Sequence, residues 1–369
     1  MKILITGSNG FIGKNLVSEL KNRGYNELYE CDIATTEQEL NEYAKNCEFV
    51  FHLAGVNRPL NNEEYMSGNF GFTNKLLSLL KKYNNKSPIL ITSSIQAKLD
   101  NAYGISKKAG EDLIFKYAKE EDVKVYVYRL TNVFGKWCKP NYNSVIATFC
   151  YNISHNLDIK INDENTELNL IYIDDVIATF INTMENKLDK NIKFYKVIPE
   201  YKIKLGKIVE LLYSFKESRN NLLIPNMKDS FSKKLYSTYL SYLEENDFSY
   251  KLKMNTDNRG SFTELFKSID RGQISVNIAK PGITKGNHWH HTKNEKFVVV
   301  SGKGLIQFRK IDDSKIIEYH VTGDDITVVD IPVGYAHNII NEGDTELITV
   351  MWCNELYAKE KPDTYFMEV

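Results

Sequence analysis

The chain lacks most of the features that mark secreted, membrane-bound or nucleic-acid-binding proteins. Its five cysteines are scattered over 369 residues, and no two of them form a CxxC pair. An odd, dispersed set argues against a disulfide framework or a thiolate zinc site and indicates free thiols in a reducing compartment. The formal net charge is −1, so the sequence has no basic excess that would favour nucleic acid or an anionic membrane surface.

Long apolar runs are also missing, and no stretch approaches the length of a membrane-spanning helix. The apolar start is interrupted at Thr6–Gly10 without a small-residue cleavage site, so no secretory signal peptide is predicted. We therefore expect a cytoplasmic protein with no membrane insertion and no nucleic-acid partner. With 42% hydrophobic and 26% charged residues the composition is that of a globular protein, and the length predicts two domains.

The two parts of the sequence differ in their periodicity. Short apolar strands alternate with helical patterns in the first part, at 2–6, 28–32, 49–54, 89–92 and 123–130. This alternation predicts an α/β Rossmann-type doubly wound parallel sheet. After a polar segment at 246–258, many short strands are separated by Pro, Gly, Asp and Asn, which predicts an all-β sandwich or barrel. The expected domains are residues 1–245 and 246–369.

A glycine-rich turn follows the first predicted strand. Gly7, Gly10 and Gly13 have the spacing G-x-x-G-x-x-G between a strand and a helix. Such glycines allow a tight turn, let the backbone approach a pyrophosphate at the helix N-terminus, and permit close helix–strand packing. Asp32 ends the second predicted strand, where a carboxylate bonds the adenosine ribose and favours NAD over NADP by its charge. The alternative for Asp32 is a turn-capping aspartate.

A tyrosine and a lysine four residues apart, Tyr103 and Lys107, lie on a predicted helix. Positions four apart share a helix face, so the ammonium is expected near the phenol, where it would lower the phenol pKa for proton transfer. A hydroxyl of Ser93 or Ser94, at the end of the preceding strand, could bond a substrate oxygen. Together with the glycine turn, this set favours an active site over a surface Tyr/Lys pair.

These motifs resemble those of the extended short-chain dehydrogenase/reductase family over roughly residues 1–245. The resemblance rests on Thr6-Gly7-x-x-Gly10-x-x-Gly13, Leu53-Ala54-Gly55, Ser93-Ser94 and Tyr103-x-x-x-Lys107. It implies that Tyr103 donates a proton, that Lys107 holds the nicotinamide ribose, and that Ser94 polarises the substrate carbonyl. The gap between the serines and Tyr103 is shorter than in most members, so the choice between Ser93 and Ser94 stays open.

The same resemblance implies further binding residues. Asn132, in Leu130-Thr131-Asn132-Val133-Phe134-Gly135, corresponds to an asparagine that faces the substrate. Members of the family usually act on nucleotide-activated sugars. The expected cofactor-binding residues are Gly7, Asn9, Gly10, Phe11, Ile12, Gly13, Asp32, Leu53, Ala54, Gly55, Tyr103 and Lys107.

Four of the seven histidines, His288, His290, His291 and His337, stand at motif positions in the C-terminal part of the chain. His288 and His290 are two apart on a predicted strand and therefore project to the same side. Glu295 can return from the next strand, and His337 offers a third imidazole. Three imidazoles and a carboxylate form a ligand set for Zn, Fe, Mn or Ni. His291 is expected to project to the opposite side and not to be a ligand.

The order of these residues resembles both motifs of the cupin family. The first is Gly282-(x5)-His288-Trp289-His290-(x4)-Glu295-(x6)-Gly302, and the second, which lacks a nearby opening glycine, ends in Pro332-x-Gly334-x-x-His337. Upstream, Asp257-Asn258-Arg259-Gly260-Ser261-Phe262-Thr263-Glu264 resembles the start of the 4-keto-6-deoxysugar 3,5-epimerases. This second resemblance implies that Arg259 contacts phosphate or sugar and that the segment joins a partner's sheet in a homodimer. The alternative is a solvated loop before a strand.

The pairing of both motif sets resembles a type of bifunctional capsular-polysaccharide enzyme. That resemblance implies zinc and a UDP-activated 4-keto-6-deoxy amino sugar as substrate. The cupin domain would epimerise C3 of UDP-2-acetamido-2,6-dideoxy-hex-4-ulose. The reductase domain would then reduce C4 with NADPH to UDP-N-acetyl-6-deoxytalosamine, in the UDP-N-acetylfucosamine pathway. Asp32 conflicts with NADPH, so NADH stays open.

Three other functions are compatible with the sequence. The cupin domain could serve only for dimerisation or sugar binding, or it could be an iron dioxygenase fused to a dehydrogenase. The third alternative, a dinucleotide-binding sensor, has no need for the Ser94/Tyr103/Lys107 set. The epimerisation base is not identified by the sequence; the candidates are Lys285, His288, His291 and His337, and a bound metal ligand is a poor base.

Overall fold

The structure is a computed structural model that describes three stretches of the chain, residues 1–59, 61–186 and 192–369. It forms two compact units, the first of Met1–Tyr213 and Asp229–Glu244, the second of Ser214–Lys228 and Glu245–Val369. The second unit therefore includes Ser214–Lys228, which the sequence analysis assigns to the first domain. Within the described stretches, no helix is both long enough and apolar enough to cross a lipid bilayer.

The first unit is built on a five-stranded parallel sheet in the order β2-β1-β3-β4-β5. Its strands are β1 (Ile3–Thr6), β2 (Leu28–Cys31), β3 (Phe49–His52), β4 (Ile89–Ser94) and β5 (Val125–Leu130). The strands are short and apolar because both faces of the sheet are buried. The strand order reverses beside β1, and ligands of such sheets bind at that point, outside the carboxyl ends of the strands. This confirms the predicted Rossmann-type sheet.

Helices follow the strands of this sheet. The first five are α1 (Phe11–Asn22), α2 (Glu37–Asn46), α3 (Glu63–Tyr65), α4 (Phe72–Lys82) and α5 (Ala102–Glu121). Helix α1 begins directly after the glycine turn and buries Leu16 and Leu20, one turn apart, in the core shared with the sheet. Between α3 and α4, Met66–Gly71 forms a π-helical turn, a feature found frequently at functional sites.

The rest of the first unit adds a small three-stranded sheet and further helices. These elements are β6 (Asn132–Phe134), α6 (Val145–Ser154), β7 (Glu167–Tyr172), α7 (Ile173–Asn186), β8 (Tyr201–Lys204), α8 (Leu205–Asn221) and α9 (Ser230–Leu240). From Ser214 onward, α8 belongs to the second unit. Strand β7 pairs in parallel with β6 and antiparallel with β8. Helix α7 packs Val176 and Phe180 into the same core as the strands of the parallel sheet.

The second unit consists of two antiparallel sheets, as predicted for an all-β domain of cupin type. Its strands are β9 (Met254–Asp257), β10 (Gly260–Ser268), β11 (Gly272–Ala279), β12 (Thr284–Trp289), β13 (Glu295–Ser301), β14 (Lys303–Lys310), β15 (Ile316–Thr322), β16 (Val328–Ile331), β17 (Tyr335–Asn341), β18 (Leu347–Cys353) and β19 (Tyr365–Phe366). The sheet orders are β16-β13-β18-β11-β10-β9 and β15-β14-β17-β12-β19. Phe297, Val299, Ile306 and Ile339 form part of the apolar core of this unit.

Candidate active sites

The glycine turn after β1 has the geometry that a dinucleotide pyrophosphate requires. Gly7 has a φ of +71°, and its N–H donates to Cys31 O at 2.7 Å. A Cβ added at Gly13 would lie 2.1 Å from Gly7 O, so only glycine fits there. Gly10 caps α1 and has no side chain to occupy the first N–H groups of the helix. These N–H groups are therefore available to an anionic ligand.

Asp32 follows the last residue of β2 and shapes the turn behind it. Its Oδ1 accepts a hydrogen bond from Ala34 N at 2.8 Å, and its own N–H donates to Thr35 Oγ1 at 3.0 Å. The turn-capping role that the sequence left as an alternative is therefore present. That contact uses one carboxylate oxygen, and the residue stands beside β1, where the adenosine ribose binds in sheets of this order.

The segment Leu53–Gly55 directly follows β3 and lies against the glycine turn. Leu53 N donates to Thr6 O at 3.1 Å, and Ala54 N donates to Thr6 Oγ1 at 3.3 Å. A Cβ at Gly55 would lie 3.2 Å from the Nζ atom of Lys107. The structure thus brings three of the predicted cofactor-binding groups together at the carboxyl ends of β1 and β3. Asn9, which is also predicted to bind the cofactor, lies in the glycine turn, and Phe11 and Ile12 lie in the first turn of α1.

The two serines at the end of β4 have different partners, because successive residues of a strand point to opposite sides. Ser93 is buried and donates to Glu111 Oε1 at 2.6 Å. Glu111 also accepts two hydrogen bonds from Arg129, at 2.7 and 2.6 Å. The Ser94 hydroxyl, in contrast, accepts a hydrogen bond from Gln96 N at 3.1 Å, and it lies near enough to the Tyr103 phenol to lower the pKa of that phenol. The structure therefore favours Ser94 as the serine that shares a substrate oxygen with Tyr103.

Tyr103 and Lys107 lie in the first two turns of α5, but the expected effect of the lysine on the phenol is absent. Burial raises the pKa of Tyr103 to about 12, although the nearby Ser94 hydroxyl acts in the opposite direction. The Lys107 ammonium donates to Thr92 O at 3.1 Å, and burial lowers its pKa to about 8. The predicted lowering of the Tyr103 pKa is wrong in this structure, because burial disfavours the charged phenolate and the Lys107 ammonium binds Thr92 O instead.

A buried polar network behind these residues was not anticipated from the sequence. His52 makes two side-chain hydrogen bonds, one between Nδ1 and Thr6 Oγ1 at 2.7 Å and one between Nε2 and Thr73 Oγ1 at 2.8 Å. Burial, aided by the Lys107 charge, lowers the pKa of His52 to about 3, so the ring is neutral. Asn69, in the π-helical turn, donates to Ser106 Oγ at 2.9 Å. The one sequence signal was a histidine ending an otherwise apolar strand.

Asn132 opens β6 and is exposed. Its Nδ2 donates to Asn169 O at 3.2 Å, a bond between the two parallel strands β6 and β7. The structure thus gives Asn132 a contact within its own sheet, and its substrate-binding role stays a prediction.

In the second unit, the four predicted metal-ligating residues come together. One ligand atom from each of His288, His290, Glu295 and His337 lies within 4.8 Å of the others. Glu295 Oε2 is 3.6 Å from His290 Nε2 and 3.4 Å from His337 Nε2. Their positions follow from the sheets, because β12 carries His288 and ends directly before His290, β13 carries the glutamate and β17 the third histidine.

A β-bulge in β12 aligns the histidines. Gly286 and Asn287 have φ angles of +107° and +59°, and the register with β17 shifts between Gly286 and His288. A bulge inserts one extra residue and re-aims the side chains after it. As a result His288 stands directly opposite His337 in the ladder.

The polar atoms of this cluster fit a metal ion. Among the described residues, nothing makes a hydrogen bond to His290 Nε2, Glu295 Oε2 or His337 Nε2, and all three atoms are buried. Burial without a partner is costly, and a bound cation would remove that cost. Burial and the neighbouring imidazoles lower the pKa of His288 to about 4, so it is neutral at pH 7. Burial alone would raise the pKa of Glu295, but His290 and His337 hold it below its usual range.

A cavity of about 780 Å³ lies beside the cluster, a size in the range of small-molecule sites. Its wall contains Lys285, whose ammonium donates to Asn277 Oδ1 and Ile278 O, both at 2.8 Å. Burial lowers the pKa of Lys285. Arg259 also lines the cavity, and its guanidinium binds the carboxylate of Asp257 at 3.0 and 2.7 Å.

His291 lies on the other side of β12, as expected for a non-ligand. Its ring packs edge-on against Trp289 and Tyr365, with ring centroids 4.5 and 4.8 Å away. It is exposed and does not line the cavity. Of the candidate bases, Lys285 and His288 line the cavity, whereas His291 does not.

Comparisons with known proteins identify both parts of the chain. Residues 3–195 match the NAD dependent epimerase/dehydratase family, and residues 255–365 match the polysaccharide biosynthesis C-terminal domain. The whole chain is 42% identical to a UDP-2-acetamido-2,6-beta-L-arabino-hexul-4-ose reductase of Pseudomonas aeruginosa and covers 99% of it.

Solved structures give the same result. The crystal structure of the capsular polysaccharide assembling protein CapF from Staphylococcus aureus is 54% identical, with a TM-score of 0.95 and coverage of 100% of both chains. A UDP-glucuronic acid 4-epimerase from Bacillus cereus in complex with NAD has 18% identity and a TM-score of 0.56. That match covers 66% of this chain and 96% of the epimerase, and at this identity it shows a shared fold only.

Proposed function

The chain belongs to the NAD dependent epimerase/dehydratase family and is an NAD(P)-dependent oxidoreductase of the sugar-nucleotide reductase/epimerase type. From that premise we propose that it is bifunctional. The second unit inverts C3 of a UDP-activated 4-keto-6-deoxy amino sugar, and the first unit then reduces the ketone at C4. The proposal depends on the presence, in one chain, of the Ser94–Tyr103–Lys107 set and of a His/Glu cluster that faces a large cavity.

The names of the relatives support a capsular nucleotide sugar as substrate. One is a UDP-hexulose reductase and the other a capsular polysaccharide assembling protein, and both match the chain over its full length. We propose the same substrate class here, UDP-2-acetamido-2,6-dideoxy-hex-4-ulose, with UDP-N-acetyl-6-deoxytalosamine as the reduced product. The C-terminal match to a polysaccharide biosynthesis domain is consistent with this assignment.

Reduction requires a hydride at C4 and a proton at the ketone oxygen. When bound, NAD(P)H supplies the hydride. The hydroxyl of Tyr103 is protonated at neutral pH, because burial raises its pKa to about 12, and it donates the proton to the oxygen. Ser94, which lies beside the same phenol, holds that oxygen in place, and Lys107 lies one turn along the helix. General acid catalysis of this kind contributes roughly 10²–10⁴-fold.

Epimerisation uses the acidity that the 4-keto group gives to the neighbouring C3–H bond. Loss of that proton gives an enolate, and return of a proton to the opposite face inverts C3. A divalent ion held by His288, His290, Glu295 and His337, which we propose to be Zn²⁺, would act as a Lewis acid towards the carbonyl. The Lys285 ammonium has three acceptor oxygens around it, so we assign it the role of a cation facing the enolate rather than that of the base.

The order of the two steps follows from the chemistry. Reduction of the ketone removes the acidity of the C3–H bond, so epimerisation must precede it. The domain that is second in the sequence therefore acts first on the substrate.

The function is tested by NMR of the product formed from UDP-2-acetamido-2,6-dideoxy-hex-4-ulose and NADPH in D₂O. The expected product carries deuterium at an inverted C3 and an alcohol at C4. Without reductant, deuterium should still enter C3 and no alcohol should form. A reduced product with protium and the original configuration at C3 would leave only the reductase, with a non-catalytic second unit.

The nucleotide preference provides the second test. We propose NADPH as the reductant, as the sequence resemblance implies, although the Asp32 carboxylate repels a 2′-phosphate. Asp32→Asn keeps an oxygen for the bond from Ala34 N and removes the charge. We expect it to raise the ratio of kcat/KM for NADPH to that for NADH by about tenfold, or about 1.4 kcal/mol. Steady-state kinetics with both nucleotides measure this ratio.

The control is Glu30→Gln, which removes an exposed carboxylate from the same strand. Glu30 pairs with Lys21 at 2.7 Å, and the Gln variant should leave the nucleotide ratio unchanged. If Asp32→Asn also leaves the ratio unchanged, Asp32 does not face the adenosine ribose and serves the turn alone.

We also propose that the protein is a homodimer. Strand β9 is the edge of the six-stranded sheet, and all four of its residues are exposed. An open edge strand is a template for pairing with another chain. Light scattering should give twice the chain mass of 42.6 kDa, and the monomer mass would contradict the proposal.

A further inference from the structure

The C-terminal tail, Pro362–Val369, returns along β12, the strand that carries His288 and ends directly before His290. Strand β19 within the tail pairs antiparallel with β12, and Phe366 stands opposite His288. Met367 N donates to Asn287 O, in the bulge of β12, at 3.0 Å. Strand β12 is therefore held between β17 on one side and the tail on the other. Any displacement of the tail would release one side of the ligand-bearing strand.

Asp363 connects the tail to the turn between β12 and β13. Its carboxylate accepts hydrogen bonds from three consecutive backbone N–H groups, those of His291 at 3.0 Å, Thr292 at 2.7 Å and Lys293 at 2.8 Å. The Thr292 hydroxyl adds a fourth bond at 3.2 Å. Its own backbone carbonyl accepts a hydrogen bond from His290 Nδ1 at 2.5 Å. One residue thus binds both the turn and a ligand ring.

The bond to the carbonyl decides which nitrogen of His290 carries the proton. A carbonyl oxygen only accepts, so Nδ1 must be the donor, and the lone pair of the neutral ring is then on Nε2. Nε2 is the buried atom that faces the cluster, 3.6 Å from Glu295 Oε2. A second contact of this kind fixes the tautomer and the ring orientation of a ligating histidine.

We propose that Asp363 is a positioning residue for the metal centre and that docking of the tail is coupled to metal binding. The Asp363 carboxylate holds the turn between β12 and β13. That turn and the Asp363 backbone carbonyl orient the His290 ring, so that its Nε2 faces the ion. Because coupling is reciprocal, a bound ion should in turn hold the tail against β12. This inference rests on the metal site of the proposed function.

The first experiment compares the full-length protein with Asp363→Asn and Asp363→Ala. Zn²⁺ affinity is measured by competition with a chromophoric chelator. Both variants are expected to bind Zn²⁺ about 10–100-fold more weakly. The matched control is Glu360→Gln, which removes an exposed carboxylate three residues earlier and should bind Zn²⁺ like the parent protein. Dinucleotide binding, a property of the first unit, checks that each variant is folded.

A spectroscopic measurement separates positioning from general support of the fold. Co²⁺ is bound in place of Zn²⁺, and its visible absorption reports the ligand geometry. The Asp363→Asn spectrum should differ from that of the parent protein, whereas Asp363→Glu, which restores the charge, should bring it part of the way back. Identical Co²⁺ spectra and Zn²⁺ affinities for Asp363→Asn and the parent protein would overturn the proposal.

The second experiment uses the unaltered chain, so it does not depend on how the variants fold. Carboxypeptidase Y, which needs no metal, removes residues from the tail only when the tail leaves β12. Coupling predicts that Zn²⁺ slows their release at least several-fold, and equal rates with and without Zn²⁺ would contradict it. If the parent protein binds neither Zn²⁺ nor Co²⁺, the proposed metal site is wrong. That result differs from metal binding that is unaffected by substitution of Asp363, which would contradict only the positioning role.

Discussion

Tyr103→Phe is expected to slow ketone reduction by about 10²–10⁴-fold, while deuterium from the solvent still enters C3 of the substrate. The phenol lies beside Ser94, and because burial raises its pKa to about 12 it is protonated at neutral pH and can donate. Phenylalanine keeps the ring in its buried place and removes only the proton donor. Reduction is followed by NAD(P)H absorbance, and exchange at C3 by NMR in D₂O without reductant.

Deuterium exchange at C3 should survive Tyr103→Phe, because the cavity in which we propose that it occurs is lined only by residues of the second unit. The control is Tyr117→Phe, which removes a buried hydroxyl from the same helix, where it donates to Asn85 O at 3.5 Å. That variant should reduce the ketone like the parent protein. Loss of exchange in Tyr103→Phe would mean that one site performs both chemistries, and retained reduction would mean that another group donates the proton.

The fold was predictable because its signals are local. Alternating strand and helix patterns required a parallel sheet, and the glycine spacing at Gly7–Gly13 placed the dinucleotide turn at the end of β1. The edge strand β9 and its neighbour β10 were missed, and β9 is exposed throughout and carries no apolar alternation. The structure brings the histidine and glutamate cluster together because His288, Glu295 and His337 lie on strands and His290 directly follows one, and their role as metal ligands stays a prediction.

The finer features of the sites depend on tertiary contacts that no spacing reveals. Four-residue spacing placed Lys107 on the face of Tyr103, but the direction of the Tyr103 pKa shift is set by burial, which the motif does not encode. The choice between Ser93 and Ser94 needed Glu111, a residue from α5 that accepts the Ser93 hydroxyl. Asp363 reaches His290 only because the tail folds back on β12.

His290→Ala is expected to remove the bound metal and, with it, the exchange at C3. Its Nε2 is one of four ligand atoms that lie within 4.8 Å of one another, and alanine leaves that position with no donor. The loss of affinity should exceed the roughly 10–100-fold expected for a change in the surrounding contacts, because a ligand itself is gone. Elemental analysis after dialysis should find about one zinc per chain in the parent protein and almost none in the variant.

The neighbouring residue supplies the matched control. His291→Ala removes an imidazole from the same strand end, but that ring is exposed and packs against Trp289 on the opposite side. It should keep both metal and exchange. An unchanged metal content in His290→Ala would exclude His290 as a ligand, and iron in place of zinc would favour the dioxygenase alternative.

Reduction in the first unit should persist in either variant, because its proton donor and dinucleotide turn lie in a separate compact unit. Loss of exchange with intact reduction, the reverse of the Tyr103→Phe result, would assign each chemistry to its own half of the chain.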